Sequence, residues 1–177
     1  MPHRKPLASF LVLAALALGA LPAHAALNAY LVLKSTKTGD LKSENTQKGH
    51  EGQIVVTAFN HDVTVAPAAR GNSFKIMKDL DKTSPVLRAL LGSGDTFSTF
   101  ELRLWRPMTA AATGTGQEEQ YFTIILHGAR LSAISAQMLN LRDPELAKFS
   151  IREEVTFSYT SIDYVYVKGG VTGTSTH

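Results

Sequence analysis

Six stretches of this chain share a two-residue rhythm of apolar and polar side chains, and that rhythm limits the backbone they can adopt. Side chains two positions apart share a face in an extended strand but not in a helix. "LNAYLVLKS" (27–35) places Ala29, Leu31 and Leu33 on one face. "QIVVTAFNHDVTV" (53–65) reads as one long strand rich in β-branched residues, and "SFKIMKDL" (73–80) alternates again. "FSTFELRLWRP" (97–107) aligns Phe100, Leu102 and Leu104. "EEQYFTIILHGARLSAISAQML" (118–139) aligns Phe122, Ile124 and Leu126, with Gly128 placed for a bend or bulge. "IREEVTFSYTSIDYVYV" (151–167) reads as two strands meeting near Thr160 and Ser161.

One segment breaks the rhythm. In "DKTSPVLRALLGSG", Ser84 is placed as an N-cap, Pro85 as the first helical residue and Gly92 just past the end. Val86, Leu87, Leu90 and Leu91 form a stripe at helical spacing. This predicts a short helix over about residues 85–91, which needs a surface to lie on. The expected fold is therefore mainly β: a β-barrel-like pair of antiparallel sheets with one short flanking α-helix. "GTGQEE" (114–119) reads as a hairpin connection, with Gly114 and Gly116 at turn positions.

The N-terminus obeys a different logic. "MPHRKP" is basic, Leu7 to Leu21 is uncharged and apolar, and "AHA" ends a small-residue cleavage pattern at Ala25. The apolar run is shorter than the roughly 20 residues that span a bilayer. Residues 1–25 are thus read as a cleavable signal peptide, 26–168 as one folded domain and 169–177 as a flexible polar tail. Cleavage removes Arg4 and Lys5, so 18 basic residues become 16 against 15 acidic ones. Nothing remains of a basic field that would argue for nucleic acid. The chain has no cysteine, yet about 150 residues bury enough surface to fold without disulfides.

The search for chemistry centres on "KGHEGQIVVTAFNHDV" (48–63), where His50, Glu51, His61 and Asp62 surround an apolar run. His50, His61, His127 and His177 show none of the close spacings of a metal site, and there is no cysteine to assist. "DLDKTSP" begins like a calcium loop at Asp79, Asp81 and Thr83, but Ser84 stands where glycine is needed and Leu90 where an acid is needed. Glu153 and Glu154 are adjacent on a strand and face opposite ways, so they are no acid–base pair. No G-x-S-x-G occurs. No catalytic residue, cofactor, metal or small-molecule substrate is expected. Trp105, Tyr159, Tyr164 and Tyr166 have the spacing of core or interface aromatics.

Four segments in series then carry a resemblance: "KGHEGQIVVTAFNHDV", "FKIMKDLDKTSPVLRALLGSG", "EEQYFTIILHGARLSAIS" and "REEVTFSYTSIDYVYV". Together they resemble the haemolysin-coregulated protein (Hcp) family of type VI secretion, over nearly all of residues 27–168. The D-K-x-S-P helix start and the E-E-V-x-F-S-Y end are the most specific parts. The resemblance implies hexameric rings stacked into a tube, a contractile sheath and spike-tip protein as partners, and small effector proteins carried in the lumen. It also implies that the polar loop 36–52 contacts the next ring, with Lys42, Glu44, Lys48, His50 and Glu51 as candidates. Val55, Phe59, Trp105, Tyr159, Tyr164 and Tyr166 are the candidates for the subunit interface. Tube proteins of this family assemble in the cytoplasm without a signal, and that leaves two readings. One is a tube subunit with a cytoplasmic pool. The other is an exported ring that acts as a binding or adhesive module in the periplasm or outside a Gram-negative cell.

Overall fold

The computed structural model describes residues 27–61, 73–108, 117–148 and 150–176. The two-residue rhythm of the sequence becomes eleven strands and one helix among them: β1 (Asn28–Ser35), β2 (Gly39–Leu41), β3 (Ile54–Val55), β4 (Ala58–His61), β5 (Ser73–Asp79), α1 (Ser84–Ser93), β6 (Phe97–Pro107), β7 (Glu118–His127), β8 (Arg130–Gln137), β9 (Arg152–Ser158), β10 (Ser161–Tyr166) and β11 (Val171–Thr176). One sheet has the order β11-β10-β7-β6-β1-β2, with β3 also paired to β1, and the other has the order β4-β5-β9-β8. All pairings are antiparallel. The expected pair of sheets with a flanking helix is present, but the two remain separate sheets and do not close into a barrel.

The inward faces of the central strands supply the core. Leu31, Leu33, Leu102, Ile124 and Ile162 from the first sheet meet Phe74, Ile76, Val155 and Phe157 from the second, all buried. Phe100 and Phe157 pack edge-on at 4.9 Å between ring centres, and Phe74 meets Phe100 edge-on at 5.7 Å, the arrangement aromatic quadrupoles favour.

The chain changes sheet four times, through α1 between β5 and β6 and at three tighter corners. The stretch 53–65, expected as one long strand, breaks after Val55: β3 pairs with β1 in one sheet and β4 with β5 in the other. At the break, the Val56 amide donates to Ala29 O and the Thr57 amide to Met77 O, so consecutive residues serve opposite sheets. Asp62 lies outside the described residues, as do Gly114 and Gly116. The bend expected at Gly128 is the β7–β8 corner, with φ +62°. It lies against the β9–β10 corner, where Thr160 donates from both its amide and its hydroxyl to His127 O.

Two boundaries differ from expectation. The helix ends at Ser93, and Gly94, with φ 61°, takes the left-handed cap position expected for Gly92. At its start Thr83, and not Ser84, is the cap residue; its hydroxyl donates to Asp81 and makes no cap bond, while the Ser84 hydroxyl donates to Glu153. The tail expected to be loose forms β11 over Val171–Thr176, paired with β10 from Ser161 to Tyr166. Its short polar side chains gave no apolar alternation to mark it, whereas the backbone pairing with β10 does not depend on side-chain polarity.

Gly128 generates a prediction. A Cβ there would lie 2.7 Å from Thr160 Oγ1 and 3.0 Å from its Cγ2, at a backbone angle side chains avoid. Gly128→Ala is expected to destabilise the fold by about 1–3 kcal/mol, read as a lowered urea midpoint with an unchanged slope.

Candidate functional site

The polar loop between β2 and β3 is closed and anchored rather than freely solvated. Its stem is tied by the Ser43 amide to Gly52 O, the Gly52 amide to Asn45 O and the Ser43 hydroxyl to Gln53 O. Leu41, Ser43 and His50 are buried. The His50 ring stacks on Tyr30 at 3.9 Å and 9°, and meets Trp105 edge-on at 4.6 Å. Its Nε2 lies 3.8 Å from the Glu118 carboxylate, which also accepts from the Asn28 side-chain amide. Tyr30 donates its hydroxyl to Gln47, and burial, with Glu118 nearby, pushes its pKa up. His50 is therefore buried at the base of the loop, where its ring contacts anchor it.

The other loop candidates face outward. Lys42, Glu44, Lys48 and Glu51 are exposed. The Glu44 carboxylate accepts the Lys82 amide at 3.0 Å, which ties the loop to the turn before α1. Backbone hydrogen bonds from its own amide and that of Gly49 hold the Glu51 carboxyl below the usual carboxylate range.

The interface candidates divide likewise. Val55 and Phe59 are 45% and 42% exposed, on either side of the break between sheets. Phe59 stacks on the buried Phe74 at 5.7 Å. Tyr166 is 37% exposed, while Trp105 and Tyr164 are half-buried. Tyr159 instead is buried, and its hydroxyl meets His61 Nε2 at 2.5 Å. Tyr164 meets the other ring nitrogen of His61 at 2.6 Å. Burial raises the pKa of both phenols, with Tyr164 adding to the effect at Tyr159. His61 thus links β4 of one sheet to β10 of the other. His50 and His61 have entirely different partners and form no cluster. Among the described residues, no three His, Asp or Glu side chains gather to hold a metal.

A buried charge network went unnoticed in the sequence. Lys78 and Glu153 face each other across β5 and β9, both fully buried, with Nζ 2.8 Å from Oε1. The ammonium also reaches Asp81 Oδ1 at 2.7 Å, and the Ser84 hydroxyl donates to Glu153 Oε1 at 2.6 Å. Arg88 of α1 approaches the second Glu153 oxygen at 2.9 Å. Burial alone would raise the Asp81 pKa, but hydrogen bonds from Lys78 and Thr83 prevail and lower it. This network explains the D-K-x-S-P motif: Asp81 and Ser84 fasten the helix start to a charge pair inside the second sheet. The signal was readable, since Lys78 continues the inward parity of Phe74 and Ile76, and Glu153 that of Val155 and Phe157.

Removing one partner leaves a buried charge uncompensated. Lys78→Met is expected to cost about 3–5 kcal/mol in urea unfolding. Adding Glu153→Leu to Lys78→Met should recover much of that loss.

Two antiparallel sheets with one flanking helix place the chain in the Hcp class of fold. Solved Hcp structures share it: one described as an Hcp protein has a TM-score of 0.74 at 22% identity, covering 85% of this chain and 98% of its own. The secreted protein Hcp3 from Pseudomonas aeruginosa has a TM-score of 0.70 at 29% identity, over 85% of this chain and 98% of its own. Residues 30–166 match the family described as "Type VI secretion system effector, Hcp". A relative described as the major exported protein of Pseudomonas aeruginosa is 32% identical over 163 residues, covering 82% of this chain and 92% of its own length. The chain belongs to the Hcp family of type VI secretion proteins.

Proposed function

We propose that this chain is a structural subunit of a hexameric ring that stacks into the type VI secretion tube and carries small effector proteins in its lumen. The observation that carries this reading is the extent of the family match, which runs from β1 through β10 and so includes both sheets, the loop and the helix. Rings form through heterologous contacts, in which one flank of a subunit fits a different flank of its neighbour. Val55 and Phe59 give one flank an exposed apolar surface, with Trp105, Tyr164 and Tyr166 as further contacts. The outward side chains Lys42, Glu44, Lys48 and Glu51 would then meet the next ring, the loop being held in shape by His50. The partners in this reading are other copies of the chain, the contractile sheath and the spike-tip protein. The subunit itself performs no catalysis.

Cryo-electron microscopy of the purified protein tests this. Six-membered rings are expected, and Val55→Asp with Phe59→Asp should reduce them to smaller species without lowering the melting temperature. A wild-type protein that stays monomeric at high concentration would overturn the proposal.

A second reading is favoured by residues 1–25: an exported ring acting as a binding or adhesive module in the periplasm or outside the cell. Amino-terminal sequencing of the protein from its native cell separates the two. A start at Ala26 supports export across the inner membrane, and a cytoplasmic pool that retains residues 1–25 supports the tube reading.

A further inference from the structure

The strands bordering the two sheets differ in how their edges are protected. β2 has three residues, with Asp40 among them, and β3 has two. β4 has four. β8 carries a register shift between Leu131 and Ala133, and α1 packs against it. Short length, charge, a bulge and a covering helix are the devices that keep sheet edges from pairing with other chains. β11 has none of them. Its six residues, VTGTST, include no charge and no proline, and its register with β10 is unbroken. Val171, Thr172, Gly173 and Thr174 are exposed, and the sheet order ends at β11 among the described residues.

We propose that β11 is a self-pairing edge, joining antiparallel to β11 of a second copy of this chain about a two-fold axis normal to the sheet. Such an axis keeps every side chain on its own face. The row Thr172, Thr174 and Thr176 therefore faces the same row of the copy, and threonine pairs are favourable across strands. With no charge in the strand, identical copies meet without the penalty of like charges placed opposite each other. The acid facing this row, Asp163 opposite Thr174, is already engaged by His127 Nε2 at 2.8 Å. Hydrogen bonds from His127 and Thr174 hold its carboxyl below the usual range. The joint is isologous, so it links subunits in pairs and cannot itself close a six-membered ring. It is a contact separate from the ring flank that includes Val55.

The absence of cysteine from the chain makes a direct test possible. In an antiparallel pair about a two-fold axis, one residue lies opposite its own copy at about 4.5–5.5 Å, within disulfide reach. Thr172→Cys, Gly173→Cys and Thr174→Cys would each be made in the full chain, with Lys37→Cys in the exposed β1–β2 turn as control. A Cβ at Gly173 meets nothing within 4 Å, so that position accepts a side chain. On mild oxidation, one of the three β11 variants is expected to give covalent dimer at least fivefold above the control. Gly173→Lys should halve the sedimenting mass with an unchanged melting temperature. Equal cross-linking at all four positions overturns the proposal, as does unaltered sedimentation of Gly173→Lys. Loss of assembly in Gly173→Lys without any β11 disulfide would mean pairing with a different edge or a different protein, and overturns self-pairing too. Val55→Asp combined with the best cysteine variant separates the two contacts: the disulfide should persist even when rings are lost.

Discussion

The contact between the inner faces of the two sheets is the constraint from which the other features follow. Phe74, Phe100 and Phe157 sit where the sheets approach, and the central strands must present their apolar parity to that plane. A one-residue slip in any strand would turn its whole apolar set outward. The polar positions left on the outer faces, and the loop and edges at the borders, are therefore available for contacts with other molecules.

Much of this was legible because a two-residue period is a strong signal. The β7–β8 bend at Gly128 and the meeting of β9 and β10 near Thr160 fall where the alternation and the glycine place them. The division of 53–65 between two sheets was not legible, because Ile54 to Thr57 is an unbroken β-branched run and only the partners at Val56 and Thr57 reveal the change. β11 escaped for the opposite reason, since a strand of threonine, serine and glycine has no apolar phase to read. Among the candidate residues, Val55 and Phe59 lie on the surface, whereas Tyr159 packs in the core and meets His61, a residue 98 positions away that no local pattern brings beside it.

The buried network at Lys78 and Glu153 shows how a mainly β fold can hold a helix with little apolar contact. Leu87 and Leu90 are the buried apolar residues of α1, while its amino-terminal end is fixed by charge. The ion pair makes the position of the helix specific, because displacement would leave charges in an apolar interior without partners. The loop follows a similar plan, with its stem hydrogen-bonded, one aromatic stack at its base and charged residues kept at its outward positions.

The break between β3 and β4 has a mechanical consequence. A single run of backbone is hydrogen-bonded to one sheet at Val56 and to the other at Thr57. Force applied to either layer therefore passes into its neighbour through covalent bonds as well as through side-chain packing. In a fold braced in this way, shear between the layers has to strain both hydrogen-bond ladders at once.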